Sequence, residues 1–130
     1  MKKVKDDFCT VINCMDGRVQ LPVNKFLRKY FDATYIDTIT EPGPNLILSE
    51  QNDSKAKKSI FKRTKISVSK HKAVGIAIVG HYDCLGNPSK KKEQIVQIKK
   101  SVKYLRKNFS NIEIIGLWVN KKWEVSLVKY

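Results

Sequence analysis

Cys14, Asp16 and Arg18 occupy alternate positions in Asn13-Cys14-Met15-Asp16-Gly17-Arg18, directly after an apolar run. If that segment is extended, a thiolate, a carboxylate and a guanidinium project to one side and share one small volume. A second stretch, Gly80-His81-Tyr82-Asp83-Cys84, also follows an apolar run and adds an imidazole and another thiol. Cys14, His81 and Cys84 supply the ligand types and local spacing that zinc prefers, and three protein ligands leave a fourth position free, as catalytic sites do. Two thiolates neutralise the dication, so bound water is less acidified than beneath three neutral imidazoles. An ionised Asp16, held by charge-assisted hydrogen bonds from Arg18, can accept the proton of the metal-bound hydroxide and aim its lone pair at a substrate.

Each of these residues alone also fits a structural role. A cysteine after a strand is often buried filler, a histidine often satisfies a backbone carbonyl, and Asp16 or Asp83 suits a turn or a helix cap. Five reactive residues gathered in two loops argue jointly for a metal site. Cys9 lies inside an apolar run and reads as a small core residue. Tyr82 reads as packing and His71 as a surface residue near a helix end.

Two such loops must be brought together by the elements around them. Residues 8–12 are β-prone without alternation, as in a strand buried on both faces. After Pro22, the spacing of Val23, Phe26, Leu27, Tyr30 and Phe31 predicts an amphipathic helix. Residues 34–40 predict a second strand, ended by the rigid turn Glu41-Pro42-Gly43-Pro44. From 46 to 72 the pattern is weaker: Ala56, Ile60 and Thr64 make one helical face, and 51–54 read as loop or helix start. Residues 73–79 are the most apolar run and predict a central strand, followed by a loop over 80–88. Ile95, Ile98, Val102, Leu105 and Phe109 predict another helix. Residues 112–119 and 123–128 predict two strands, with Asn120-Lys121-Lys122 closing an antiparallel hairpin.

This order is that of an α/β fold. We expect one domain over residues 1–130, with an open, mostly parallel sheet of about five strands, helices on both faces and an antiparallel C-terminal edge. Such sheets bind ligands beyond the carboxyl ends of their strands, where strand order reverses. If the first and third strands are neighbours there, Cys14 arrives beside His81 and Cys84.

Composition narrows the function classes. The chain has 130 residues, 42% of them apolar, enough for one core. Its N-terminal charge and lack of a long apolar run predict neither a signal peptide nor a membrane span, and a cytoplasmic home. Three cysteines argue against a disulfide framework, and without a C-x-x-C pair a thiol redox role for Cys14 and Cys84 is the weaker reading. The net charge of +14 predicts attraction to anions, nucleic acid included, but no recognition motif accompanies it, so specific nucleic-acid binding is not expected. The lysines read as a solvated basic surface.

Cys14-Met15-Asp16-Gly17-Arg18 together with His81-Tyr82-Asp83-Cys84 resembles the C-x-D-x-R and H-x-x-C signature of the β-class carbonic anhydrases, and the order of strands with the terminal hairpin extends the likeness across nearly the whole chain. The resemblance implies zinc on Cys14, His81 and Cys84, with Asp16 and Arg18 as a catalytic dyad. It implies reversible hydration of carbon dioxide to bicarbonate and a homodimer as the basic assembly, and a resting form in which Asp16 takes the fourth metal position. Four departures stand out: no room for an N-terminal helical arm before residue 8, Glu41-Pro42-Gly43-Pro44 after the second strand, Gly17 before the dyad arginine where serine is common, and Leu85 between Cys84 and Gly86. A related zinc hydrolase acting on carbonyl sulfide or carbon disulfide is the enzymatic alternative. A metal-stabilised basic binding module is the non-enzymatic one.

Overall fold

In the computed structural model, which describes residues 7–129, β1 (Phe8–Cys14), β2 (Tyr35–Glu41), β3 (Gly75–His81), β4 (Glu113–Val119) and β5 (Val125–Leu127) form one sheet in the order β2-β1-β3-β4-β5. The first four are parallel, and β5 pairs antiparallel with β4. β1 and β3 are therefore neighbours, which meets the condition set by the sequence reading, and the chain leaves them in opposite directions across the sheet.

Both strands run two residues beyond their apolar runs. Cys14 pairs with Glu41 and His81 with Val119, so these two residues end strands instead of lying in loops. Ladder bonds are made by backbone groups, and a polar side chain does not stop them while a partner strand continues. The opposite holds at the edge. β5 keeps only three of the six residues expected from 123–128, because Trp123 turns the chain with a positive φ of 62° and its N–H bonds to Asn120 O.

Helix α1 (Gln20–Tyr30) covers one face, where Val23 and Leu27 pack with Cys9, Val11, Ala77, Val79, Leu117 and Val119. Helices α2 (Pro44–Ser49), α3 (Lys55–Lys70) and α4 (Lys91–Asn108) cover the other. There Leu48, Ile60, Ile98, Val102 and Leu105 meet Ile12, Ile76, Ile78 and Ile114. Each such fully buried side chain contributes about 1.5–3 kcal/mol, so the α4 stripe is a main anchor of this face.

The weak pattern over 46–72 resolves into two helices, α2 and α3. Pro44 opens α2 at a position where a missing N–H costs nothing, and Gly43 precedes it in a left-handed conformation. Ser54 caps α3 by accepting from the Lys57 N–H at 3.2 Å. The buried side of α3 is Lys57, Ile60, Thr64 and Ser67, a mostly polar set, which is why its periodicity is faint. Its polar members all have partners: Lys57 Nζ donates to Glu50 O and lies 4.5 Å above the Tyr104 ring, the Thr64 hydroxyl donates to Ile60 O, and the Ser67 hydroxyl donates to Asp37 Oδ2. No helix among the described residues is long and apolar enough to cross a membrane.

Candidate metal centre

Adjacent parallel strands deliver β1's last residue, Cys14, beside β3's last residue, His81, and the loop after β3 returns Cys84 to them. One donor atom from each of the three lies within 4.8 Å of the others, and all three residues are buried. The two sulfurs are 3.8 Å apart and unbonded. His81 Nδ1 lies 2.7 Å from Tyr82 O, which can only accept, so Nδ1 carries the hydrogen and Nε2 the lone pair. That Nε2 is buried and, among the described residues, is the one buried side-chain nitrogen or oxygen without a hydrogen-bond partner. Buried polar atoms are rarely left so, and here the lone pair faces two sulfurs, a donor set that can hold a metal ion.

The pair of thiols shares its protons unequally. The Cys84 thiol donating to Cys14 draws the Cys14 thiol well below its ordinary value; burial opposes this, while His81 and the N–H groups of Gly43 and Asp16 assist. Cys84 is pushed well up by the same neighbour and by burial. One proton therefore leaves this pair easily and the second is held, until a cation displaces it. Burial pulls His81 down, but the Cys14 sulfur and the Tyr82 carbonyl outweigh it and hold the imidazole above its ordinary value, so a proton and a cation compete for the Nε2 lone pair.

The segment carrying Asp16 and Arg18 is not extended. Gly17–Val19 form a 3-10 turn, and Asp16 caps it by accepting from the Arg18 N–H at 2.9 Å. The two side chains meet through this turn and not through strand alternation. Arg18 Nε and Nη2 donate to the two Asp16 carboxylate oxygens at 3.1 and 2.7 Å, a fork that draws the Asp16 carboxyl down to about 2 despite partial burial. Arg18 is itself held on its other side: Nη1 reaches Asp83 Oδ2 at 3.3 Å, Nη2 reaches Asp83 O at 3.1 Å, and the guanidinium lies 4.5 Å from the centre of the Trp123 ring. The turn at Trp123 that shortens β5 thus puts an indole over Arg18.

Several supporting residues escape the sequence reading. Gln94 on α4 is buried and grips the backbone of His81 from both sides, Nε2 donating to His81 O at 2.9 Å and Oε1 accepting from His81 N at 3.2 Å. Gln20 donates to Cys14 O at 2.7 Å and to Asp16 O at 2.8 Å, tying the ligand strand to the turn. Asn45, also buried, donates to Gln94 and accepts from Asn87. One signal was present: Gln94 stands four residues before Ile98, on the apolar stripe of α4. The turn Glu41-Pro42-Gly43-Pro44 also borders the site. Gly43 has a φ of 64°, and a Cβ there would meet Gly86 backbone atoms at 2.8 Å, so the two loops close on each other only without that side chain. Tyr82, expected to pack, is half exposed, and its carbonyl is the part that bears on the site. Cys9 is a fully buried core residue as predicted, and His71 lies at the end of α3 on the surface, its Nδ1 2.7 Å from Asp37 Oδ2.

No curated protein matches the chain. Solved structures do. A β-carbonic anhydrase isoform from the protozoan Trichomonas vaginalis superposes with a TM-score of 0.61 at 18% identity, covering 98% of this chain and 87% of that one. Tetrameric β-carbonic anhydrases from the filamentous ascomycete Sordaria macrospora give 0.66 at 10% identity, covering 98% and 83%. A carbonic anhydrase from Glaciozyma antarctica gives 0.61 at 12%, covering 92% and 81%. The sheet order, the helices and the terminal hairpin described above are thus those of the β-carbonic anhydrase fold. The family described as "Putative carbonic anhydrase" matches residues 4–129, nearly the whole chain, and this protein belongs to it.

Proposed function

We propose that this protein is a zinc-dependent, carbonic anhydrase-like lyase that hydrates carbon dioxide reversibly to bicarbonate. One observation carries the reading: the buried lone pair of His81 Nε2, without a hydrogen-bond partner, beside two thiol sulfurs. The donors fit zinc in type and spacing. With Zn–S bonds of about 2.3 Å and tetrahedral angles, two sulfur ligands stand about 3.8 Å apart, and Cys14 and Cys84 are 3.8 Å apart. Cys14, His81 and Cys84 would hold the ion, which when bound lowers the pKa of water and supplies a nucleophile near neutral pH.

The chain's own groups do the rest. The Asp16 carboxylate, ionised at any working pH, accepts a hydrogen bond from the nucleophilic oxygen and turns its lone pair toward the substrate carbon. The fork from Arg18 fixes the plane of that carboxylate, and Asp83 and Trp123 fix Arg18. Gln94, bonded to both the N–H and the carbonyl of His81, holds the backbone that carries the imidazole, and the Tyr82 carbonyl bonded to Nδ1 fixes the ring itself. A homodimer or larger homo-oligomer in the cytoplasm completes the proposal. It is supported by the tetrameric ascomycete relatives and by the exposed Met15, Leu21 and Leu85 in or beside the ligand-bearing segments.

The test is elemental analysis of the purified protein followed by stopped-flow hydration of carbon dioxide from about pH 7 to about pH 9. We expect near-stoichiometric zinc and turnover that rises with pH. Zinc-loaded protein with no hydration above buffer would overturn the reaction assigned here. Turnover of carbonyl sulfide or carbon disulfide by that same sample would move the substrate and keep the centre.

A further inference from the structure

The positive charge of this protein is not spread evenly. α3 carries Lys55, Lys57, Lys58, Lys62, Arg63, Lys65 and Lys70 with no acidic residue, and α4 carries Lys91, Lys92, Lys99, Lys100, Lys103, Arg106 and Lys107 with Glu93 alone against them. Fourteen of the 26 basic residues and one of the 12 acidic ones thus lie on two helices, which hold thirteen of the fourteen net charges. The remainder of the chain is close to neutral. These two helices share one face of the sheet, for Ile60 of α3 and Ile98, Val102 and Leu105 of α4 enter the same core cluster. Their seam is closed by Phe61 against Phe109, with ring centres 5.5 Å apart, and by Lys57 over Tyr104.

The exposed lysines are also ordered along each helix. Lys55, Lys58, Lys62 and Lys65 follow 3, 4, 3 spacing on α3, and Lys99, Lys103 and Lys107 follow spacing of four on α4; all seven are exposed. Residues three and four apart are surface neighbours, so each row sets like charges side by side and works against its own helix. At 1.5 Å per residue the rows lie along helices about 24 and about 27 Å long, the scale of seven or eight base-pair steps of a duplex.

We propose that the α3–α4 face binds the phosphate backbone of duplex nucleic acid without reading base sequence. Lysine point charges neutralise phosphates and release counterions, and no side chain here is arranged for bidentate contact with base edges. The two arginines of the face are engaged with the protein, Arg63 with Glu41 Oε2 at 2.7 Å and Arg106 with Ile114 O at 3.4 Å. A membrane surface fits less well: the large apolar side chains exposed on these helices are Ile66 and Val96, with no tryptophan, phenylalanine or leucine among them to insert. None of the lysines of this face is a residue of the candidate metal centre or of the Asp16–Arg18 fork, so this inference does not rest on the catalytic reading.

The test measures fluorescence anisotropy of a labelled, arbitrary-sequence duplex of about 20 base pairs, titrated with zinc-loaded protein between about 50 and about 200 mM salt. One variant carries Lys58→Glu, Lys62→Glu, Lys103→Glu and Lys107→Glu. A control carries the same change of charge elsewhere, as Lys25→Glu, Lys29→Glu, Lys121→Glu and Lys122→Glu, all exposed. We expect affinity that falls steeply with salt, is unchanged by shuffling the sequence, drops more than about tenfold in the first variant and stays within about threefold in the control. The salt slope of the first variant should shrink by up to about 3.6, four contacts at about 0.9 each. Equal losses in the two variants would reduce the effect to net charge and overturn the proposal. So would absence of binding at the lowest salt, or tighter adsorption to phosphatidylglycerol vesicles than to the duplex. Should the reversed variant fail to fold by circular dichroism, the same four positions as glutamine give the same comparison at half the charge change.

Discussion

Each end of β1 holds a cysteine and a histidine, and only one end gathers a donor set that could hold a metal ion. At the amino end, Cys9 is wholly buried in the core and His71 stacks on Phe8, with ring centres 4.1 Å apart. The polar groups there form a closed chain: Thr10 donates to Ser67 at 2.6 Å, Ser67 to Asp37 Oδ2 at 2.7 Å, and His71 Nδ1 meets the same oxygen at 2.7 Å. His71 is half exposed, so its other ring nitrogen is not walled off from solvent as a core atom would be. At the carboxyl end, Cys14 and His81 are buried as deeply, but the His81 lone pair has no protein partner and a second sulfur stands 3.8 Å from the first. The same residue types thus differ in fate by what is left unsatisfied. Burial of Cys9 holds its thiol up at about 11, with Asp37 adding to the effect, whereas hydrogen-bond donors bring Cys14 well below its ordinary value. A thiol is useful to a cation only where something stabilises its thiolate.

Substitution is the strongest way to break this contrast. Changes in residues that merely orient metal ligands cost about 10–100-fold in affinity, so loss of a ligand in Cys14→Ser should exceed about 100-fold, with zinc content and hydration lost together. Cys9→Ala should keep both. Alkylation sharpens the same difference without mutation. Iodoacetamide should leave all three thiols intact in zinc-loaded protein, and after chelation should label Cys14 first while Cys9 stays unreacted, as read by peptide mass spectrometry. Labelling of Cys9 ahead of Cys14 would contradict the geometry at both ends.

Alkaline unfolding addresses the amino end alone. The Cys9 pKa is raised in the folded protein from 9.0 to about 11, so its contribution is fully present below pH 9 and is lost as pH rises through 11. That difference is worth about 3 kcal/mol. Denaturant titrations across this window should show wild type losing about that much more stability than Cys9→Ala; parallel losses would mean that burial does not hold the thiol neutral. The smallest effect belongs to the rim of the carboxyl end. Trp123→Ala removes a cation–π contact between a half-buried indole and the half-exposed Arg18, worth at least about 0.5–1 kcal/mol, so hydration should fall by at least about two- to fivefold with zinc content unchanged. Loss of zinc in that variant would make Trp123 part of the fold of the site instead of a support for Arg18.

Much of the architecture was readable from local patterns. Unbroken apolar runs marked β1, β3 and β4, and 3,4 spacing marked α1 and α4, because burial of a strand on both faces or a helix on one writes a period into the chain. α3 was faint, since its inner face is Lys57, Thr64 and Ser67 with a single isoleucine, and their hydrogen bonds are visible only when Glu50, Ile60 and Asp37 are in place. α2 was hidden behind two prolines and a glycine that read as a turn.

By itself, the sequence determined the donor types, their placement after apolar strands and the strand count, for these depend on side-chain chemistry and on periods of two and 3.6 residues. Only the tertiary structure decided that Gln94 clasps His81, that Gly43 and Gly86 close loops over the sulfurs, that the Asp16–Arg18 fork arises from a turn, and that thirteen net charges share one face. The closed loops and the shared face come from groups 40 to 70 positions apart, and even the nearer pairs, 13 apart for His81 and Gln94 and two apart for Asp16 and Arg18, meet through backbone geometry; neither periodicity nor spacing along the chain encodes which atoms will face each other once the backbone ladder has set the register.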